Sequence, residues 1–240
     1  MSDLFDALKP AVKAELPVHR ICLVGASGLI GSAVLEESIG RSDMRVVSIA
    51  RREVPLPQGA RTEVLVGRTE DWPALIGAAH ADVLVCALGT TMKAAGSQEA
   101  FRAVDHDLVL EVARAARAAG IGHMVAVSAV GADRMSRNFY LRTKGEVEEA
   151  LGKVGFRRLD ILRPGLLRGR RKERRGLEGV GQVVAPLADL LVLHGKYRRF
   201  RSVRASMVAR AIFALVREKP QGRFVHDFDG MRRVMRRAGE

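Results

Sequence analysis

RICLVGASGLIG, residues 20–31, sets a compact apolar run directly ahead of three glycines at every third position, Gly25, Gly28 and Gly31. A short apolar run bounded by glycine reads as a strand buried on both faces. The residues that follow, to about Ile39, carry a helical pattern, so the glycines stand between a strand and a helix. In that setting each has a task. Gly25 allows the tight turn, Gly28 lets a pyrophosphate approach the backbone, and Gly31 lets helix and strand pack closely. The loop Gly25, Ala26, Ser27, Gly28, Leu29, Ile30 and Gly31 then offers the unpaired N–H groups of a helix start to the phosphates of a dinucleotide.

Outward from this unit the alternation continues. Met44–Ala50, Thr62–Val66, Asp82–Leu88, His123–Ser128 and Arg157–Leu162 are further strands. A short helix near Trp72–Ala79, a long one capped by Ser97 and ending at Gly120, and one over Phe139–Val154 lie between them. Trp72 beside Pro73 reads as a helix-start anchor. Six strands with intervening helices predict an α/β fold, a Rossmann-type doubly wound parallel sheet. Beyond Arg163 the pattern loosens into a basic loop at 168–175, a helical stretch near Val180–Leu193, a helix from about Ser206 to Arg217 and a last strand over Gly222–Phe228. The expected organisation is an N-terminal extension at 1–18 and one domain over 19–240. Its small C-terminal lobe, mainly from about 165–240, would bind the substrate, and the tail Met231–Glu240 is expected to be a solvated end.

Composition narrows the function classes. An apolar fraction of 48% and a charged fraction of 28% over 240 residues exclude disorder and a collagen-like chain. No run of 18 apolar residues occurs, so no membrane span is expected. Cys22 and Cys86 sit in apolar runs and suggest a reducing compartment. The acid-bearing N-terminus lacks an apolar signal-peptide core, and a cytoplasmic location follows as the expectation. The net charge is +13, and Arg supplies 32 of the 40 basic residues. Without a zinc-knuckle, ribonucleoprotein or recognition-helix pattern, this charge reads as mostly solvated surface, with no specific nucleic-acid partner. The six histidines show no ligand spacing, so no metal is expected.

The end of the second strand selects the cofactor. An acid there would bind the adenosine ribose hydroxyls of NAD, whereas an arginine can hold the 2′-phosphate of NADP. The chain has Arg51 and Arg52, whose guanidinium forks suit a phosphate. NADP(H) is therefore favoured over NAD(H). On the helix after the fifth strand, Tyr140 and Lys144 stand four residues apart, on one face that continues into Val147 and Leu151. A lysine ammonium near a phenol favours the phenolate and lowers its pKa, which suits proton transfer to a carbonyl oxygen as hydride arrives. Ser128, at the end of the fifth strand, could hydrogen-bond the same oxygen.

With these motifs in order, the chain resembles the short-chain dehydrogenase/reductase superfamily over roughly residues 19–229, specifically its atypical branch. CALGTTMKAAG at 86–96, SAVGAD at 128–133, NFYLRTKGEVE at 138–148 and LRPGLLRGRR at 162–171 are similar to the Tat-interacting-protein oxidoreductase group. NmrA-like and nucleoside-diphosphate-sugar-epimerase-like proteins are close to that group. The resemblance implies that Leu88, Gly89 and Thr90 line the adenosine ribose and the path toward the nicotinamide. It implies Tyr140 as general acid/base, Lys144 on the nicotinamide ribose, and Pro164 and Gly165 beside the carboxamide. The chain departs from the family at three places: Ser128-Ala129 where two serines are usual, Asp105 where an asparagine is typical, and Gly67-Arg68 where many relatives have an aspartate.

The expected function is an NADPH-dependent reduction of a small carbonyl-type substrate with Tyr140 as proton donor, by a monomer or homodimer. The alternative is a non-catalytic NADP(H)-binding regulator or scaffold. A sugar-nucleotide epimerase is disfavoured by the small room left for a C-terminal lobe.

Overall fold

The computed structural model describes residues 18–168 and 201–240. The expected strands form in place, as β1 (His19–Val24), β2 (Met44–Ala50), β3 (Thr62–Val66), β4 (Val83–Cys86), β5 (His123–Val127) and β6 (Arg158–Leu162). The short strands β7 (Leu167–Arg168) and β8 (Val203–Arg204) pair only with each other, and β9 (Gly222–His226) joins the main sheet. That sheet runs β3-β2-β1-β4-β5-β6-β9, with every neighbouring pair parallel. The order reverses at β1, which pairs with β2 on one side and β4 on the other. A crevice at such a switch point is where a doubly wound sheet binds ligands.

Alternation along each strand explains why these segments read as continuous apolar runs. Ile21 and Leu23 enter the core on one face of the sheet, and Cys22 and Val24 enter the core on the other. The first face is covered by α1 (Leu29–Glu37), α7 (Ala205–Val216) and α8 (Phe228–Ala238), the second by α2 (Trp72–Ala78), α5 (Leu108–Ala118) and α6 (Phe139–Gly152). Fully buried side chains such as Phe213, Ile212, Ile161 and Met124 each contribute roughly 1.5–3 kcal/mol of apolar transfer. Trp72 anchors the start of α2 as expected: it is buried and its indole N–H donates to the Gly67 carbonyl. Both cysteines are free, and burial pushes the thiols up, Cys22 to about 12 and Cys86 to about 11.

The described part of the C-terminal third is built into the main body rather than set beside it. α7 is almost wholly buried, packed against α1, α8 and β5, and β9 completes the sheet. The expected solvated tail is instead the packed helix α8, buried through Phe228, Met231 and Val234. Its end is clasped by Glu240, which accepts hydrogen bonds from Arg41 and from Arg217 at 2.8 Å. Those arginines hold the carboxyl at about 2. Residues 1–17 of the N-terminal extension expected at 1–18, the helix expected near 180–193 and most of the arginine run at 168–175 lie outside the described residues.

A second polar knot ties the edge strand to its neighbours. Asp160 of β6 accepts from Arg158 at 2.6 and 2.9 Å and bonds His123 of β5 at 2.8 Å and His226 of β9 at 2.7 Å. Burial alone would raise this carboxyl; its histidine and arginine partners outweigh that and hold it well below the carboxylate range.

Candidate cofactor and active site

Gly25 directly follows β1 with φ +95°, and a Cβ there would lie 2.6 Å from the Ala87 carbonyl carbon and oxygen. The loop is thus pressed onto the chain leaving β4, which only glycine permits. A Cβ on Gly31 would stand 2.1 Å from the Gly25 carbonyl oxygen, so the first turn of α1 sits directly on the loop. Gly28 is the N-cap of α1 and no side chain caps it. The first N–H groups of α1 have no intrahelical partners, leaving a donor cradle suited to a pyrophosphate. Ala26 and Ile30 are buried, Leu29 is half-buried, and Ser27 faces outward. Together, the bare N-cap and the closely packed glycines fit a dinucleotide.

The other proposed cofactor residues leave the same edge of the sheet. Ile49 is in register with Val24, so the exposed Arg51 and Arg52 follow β2 at the level of the glycine loop. Cys86 is also in register with Val24, so Leu88, Gly89 and Thr90 leave β4 beside Gly25. Pro164 and Gly165 follow β6, where the Pro164 carbonyl accepts from the Val130 N–H at 3.0 Å.

The expected long helix capped by Ser97 forms in three pieces. Ser97 caps α4 (Gln98–Arg102), a π-turn follows at Ala103–Asp107, and α5 continues from Leu108. A further turn of helix, α3 (Met92–Ala95), precedes them under a Thr91 cap. A π-turn adds a residue to the helical repeat and is often found at functional sites. Here it buries Asp105, which is only 1% exposed. Asp105 Oδ2 accepts from the Thr90 N–H at 2.7 Å, and its Oδ1 lies 2.8 Å from Lys144 Nζ. The Lys144 contact is an ion pair rather than a well-directed hydrogen bond, for Oδ1 has no hydrogen-bond partner among the described residues.

Lys144 itself is buried on α6, one turn after Tyr140, whose ring tilts against Phe101 at 5.5 Å. Asn138 caps the helix by accepting from the Leu141 N–H at 3.1 Å. The expected lowering of the Tyr140 pKa is not the net result. Burial pushes the phenol above its ordinary value, Lys144 opposes this, and Asp105 adds to it. Desolvation and the carboxylate outweigh the ammonium, so the phenol keeps its proton at neutral pH.

Ser128 is buried at the end of β5, but its hydroxyl donates to Glu148 Oε1 at 2.5 Å. Glu148 also takes Arg163 Nε at 2.9 Å and Arg163 Nη2 at 2.5 Å. Sequence reasoning missed Glu148. Its signal was its place four residues after Lys144 on the same helix face. Gly145 was missed as well: a Cβ there would lie 2.2 Å from the Arg134 backbone nitrogen, so the loop before α6 packs directly against the helix.

Residues 25–185 match the NAD(P)H-binding family. Among curated relatives, the protein fmp52, mitochondrial, of Aspergillus niger is 34% identical over 214 residues, covering 84% of this chain and 91% of that protein. Its namesake in Emericella nidulans is 37% identical over 69% of this chain and 74% of its own. The namesake in Eremothecium gossypii is 38% identical over 73% and 78%. Among solved structures, a putative NAD-dependent epimerase/dehydratase from Bacillus halodurans superposes with a TM-score of 0.62 at 23% identity, covering 86% of this chain and 92% of that one. The enzyme WbmH of Bordetella bronchiseptica with NAD+ gives 0.63 at 17% identity, covering 88% and 76%. These structural likenesses support the Rossmann-type fold. The relatives' names overturn the cytoplasmic expectation, since each says mitochondrial. The cytoplasmic expectation rested on an N-terminus without an apolar signal core, and mitochondrial leaders are amphipathic rather than apolar.

Proposed function

The chain belongs to the NAD(P)H-binding family and, by its likeness to them, to that of the Fmp52 proteins, and from that premise we propose that it is an NADPH-dependent oxidoreductase acting on a small carbonyl compound. The observation that carries this reading is the buried Lys144–Asp105 pair with the half-buried Tyr140 one helical turn before the lysine, set behind Thr90 on the chain that leaves β4 beside the glycine loop. The short-chain superfamily's Tat-interacting group remains the finer kinship suggested by the motifs at 86–96 and 138–148.

When bound, the cofactor would supply hydride to the carbonyl carbon. The chain's own residues supply the rest. The N–H groups at the start of α1, with Gly25 to Gly31 closed beneath them, would hold the pyrophosphate. Arg51 and Arg52 would pair with the 2′-phosphate and so set the preference for NADPH. Lys144 would donate to the nicotinamide ribose, and Pro164 and Gly165 would hold the carboxamide end. Tyr140, protonated at neutral pH, gives its proton to the carbonyl oxygen, and its ring is steadied on Phe101. Ser128 would orient that oxygen only by turning its hydroxyl away from Glu148.

That last engagement favours a second reading, a cofactor-binding regulator without turnover. Calorimetric titration with NADPH, then a screen of aldehydes, ketones and quinones for cofactor oxidation, separates the two. Binding with turnover supports the reductase. Binding without turnover across the screen supports the regulator. Absence of binding removes both.

A further inference from the structure

We propose that Asp105 is itself a cofactor-binding residue, its Oδ1 accepting a hydrogen bond from a hydroxyl of the nicotinamide ribose. This rests on the cofactor reading above and adds to it a residue that the motifs do not assign.

Three observations point the same way. Asp105 is 1% exposed, and the Lys144 ammonium at 2.8 Å offsets the charge on Oδ1 without giving it a well-directed hydrogen bond, so this buried oxygen keeps capacity to accept one. Oδ2 is already committed to the Thr90 N–H, which fixes the carboxylate plane and leaves Oδ1 as the spare acceptor. Oδ1 also lies against Gly89, where even a Cβ would come within 3.4 Å, and against Lys144 Nζ. The spare acceptor therefore sits between the loop proposed to line the cofactor path and the ammonium proposed to hold the ribose.

The chemistry is complementary. A sugar hydroxyl accepts through its oxygen and donates through its hydrogen, so one hydroxyl can take a bond from Lys144 and give one to Asp105. Ammonium and carboxylate already adjacent form that donor–acceptor pair before any sugar arrives. Both bonds are charge-assisted and so stronger than neutral ones.

The test uses the full chain. Asp105→Asn keeps the shape and an oxygen for Thr90 but removes the anionic acceptor. Calorimetry should show NADPH binding at least tenfold more weakly than to the unaltered protein. Binding of 2′,5′-ADP, which has the adenosine end and no nicotinamide ribose, should be unchanged. Unchanged NADPH affinity, or an equal loss for both ligands, overturns the proposal. Repeating Asp105→Asn in a Lys144→Met background separates direct contact from an effect through the lysine: a further loss supports contact, and none overturns it. A measurement without any variant guards against misfolding. Of two NADP+ analogues, one lacking the 2′-hydroxyl and one the 3′-hydroxyl of the nicotinamide sugar, at least one should bind the unaltered chain at least tenfold more weakly than NADP+, and equal binding of both overturns the proposal. If the unaltered chain binds no NADP(H) at all, the cofactor reading falls and this one with it, a result distinct from binding that ignores Asp105.

Discussion

Two buried carboxylates meet α6 one turn apart, Asp105 at Lys144 and Glu148 within the helix itself, and their surroundings differ in one respect. Glu148 is saturated: Ser128 donates to one oxygen and Arg163 grips both. Asp105 has an ammonium at 2.8 Å and a backbone N–H, yet one oxygen keeps its accepting capacity. A saturated buried ion group holds elements together, here the ends of β5 and β6 against α6. An unsaturated one beside a glycine loop is poised for something else to complete it. Between these two carboxylates the difference lies in spare accepting capacity, since both are buried and both are ion-paired.

The contrast breaks most visibly at the chemistry. Tyr140→Phe keeps the ring on Phe101 but removes the proton. Turnover on whichever carbonyl the screen identifies should fall by about 10²–10⁴-fold with NADPH affinity unchanged. An active Phe variant would leave only the regulator. On the scaffold side, Arg163→Ala should destabilise the fold by about 2–4 kcal/mol in urea denaturation. That is less than for the deepest pairs, because the Arg163 side chain is 29% exposed. NADPH affinity should hold in that variant; a selective loss of cofactor binding would move Glu148 and Arg163 from scaffold to site.

At the adenosine end, changing Arg51 and Arg52 together to alanine should erase an NADPH-over-NADH preference of about 2–3 kcal/mol, measured by calorimetry. Equal affinity for both cofactors in the unaltered chain would remove the basis for the NADPH assignment. The smallest effect is expected far from the site. Glu240, held at about 2 against an ordinary 4.5, has a depressed folded pKa. Its contribution is therefore present above about pH 4.5 and lost as pH falls toward about 2. Surface screening limits it to about 1 kcal/mol. Glu240→Ala should lower the melting temperature at pH 7, with the difference from the unaltered chain shrinking below pH 4.

What could be read from the chain itself was local. The strands were legible because both faces of a central parallel strand are covered, which leaves a continuous apolar run in β4 and through most of β1 and β5. The glycine loop was legible because the constraint lies in the backbone: no other residue fits at Gly25 or Gly31. The spacing of Tyr140 and Lys144 was legible because helix geometry fixes which residues share a face. Tertiary structure decided what those side chains meet. Nothing local announced the π-turn that buries Asp105, since a helix accepts an extra residue only when packing and an ion pair compensate for it. The partner of Ser128 lies 20 residues away and that of Asp160 as many as 66, separations at which periodicity carries no information. The direction of the Tyr140 shift belongs to the same class, because desolvation is a property of everything packed around the phenol and not of the lysine one turn along.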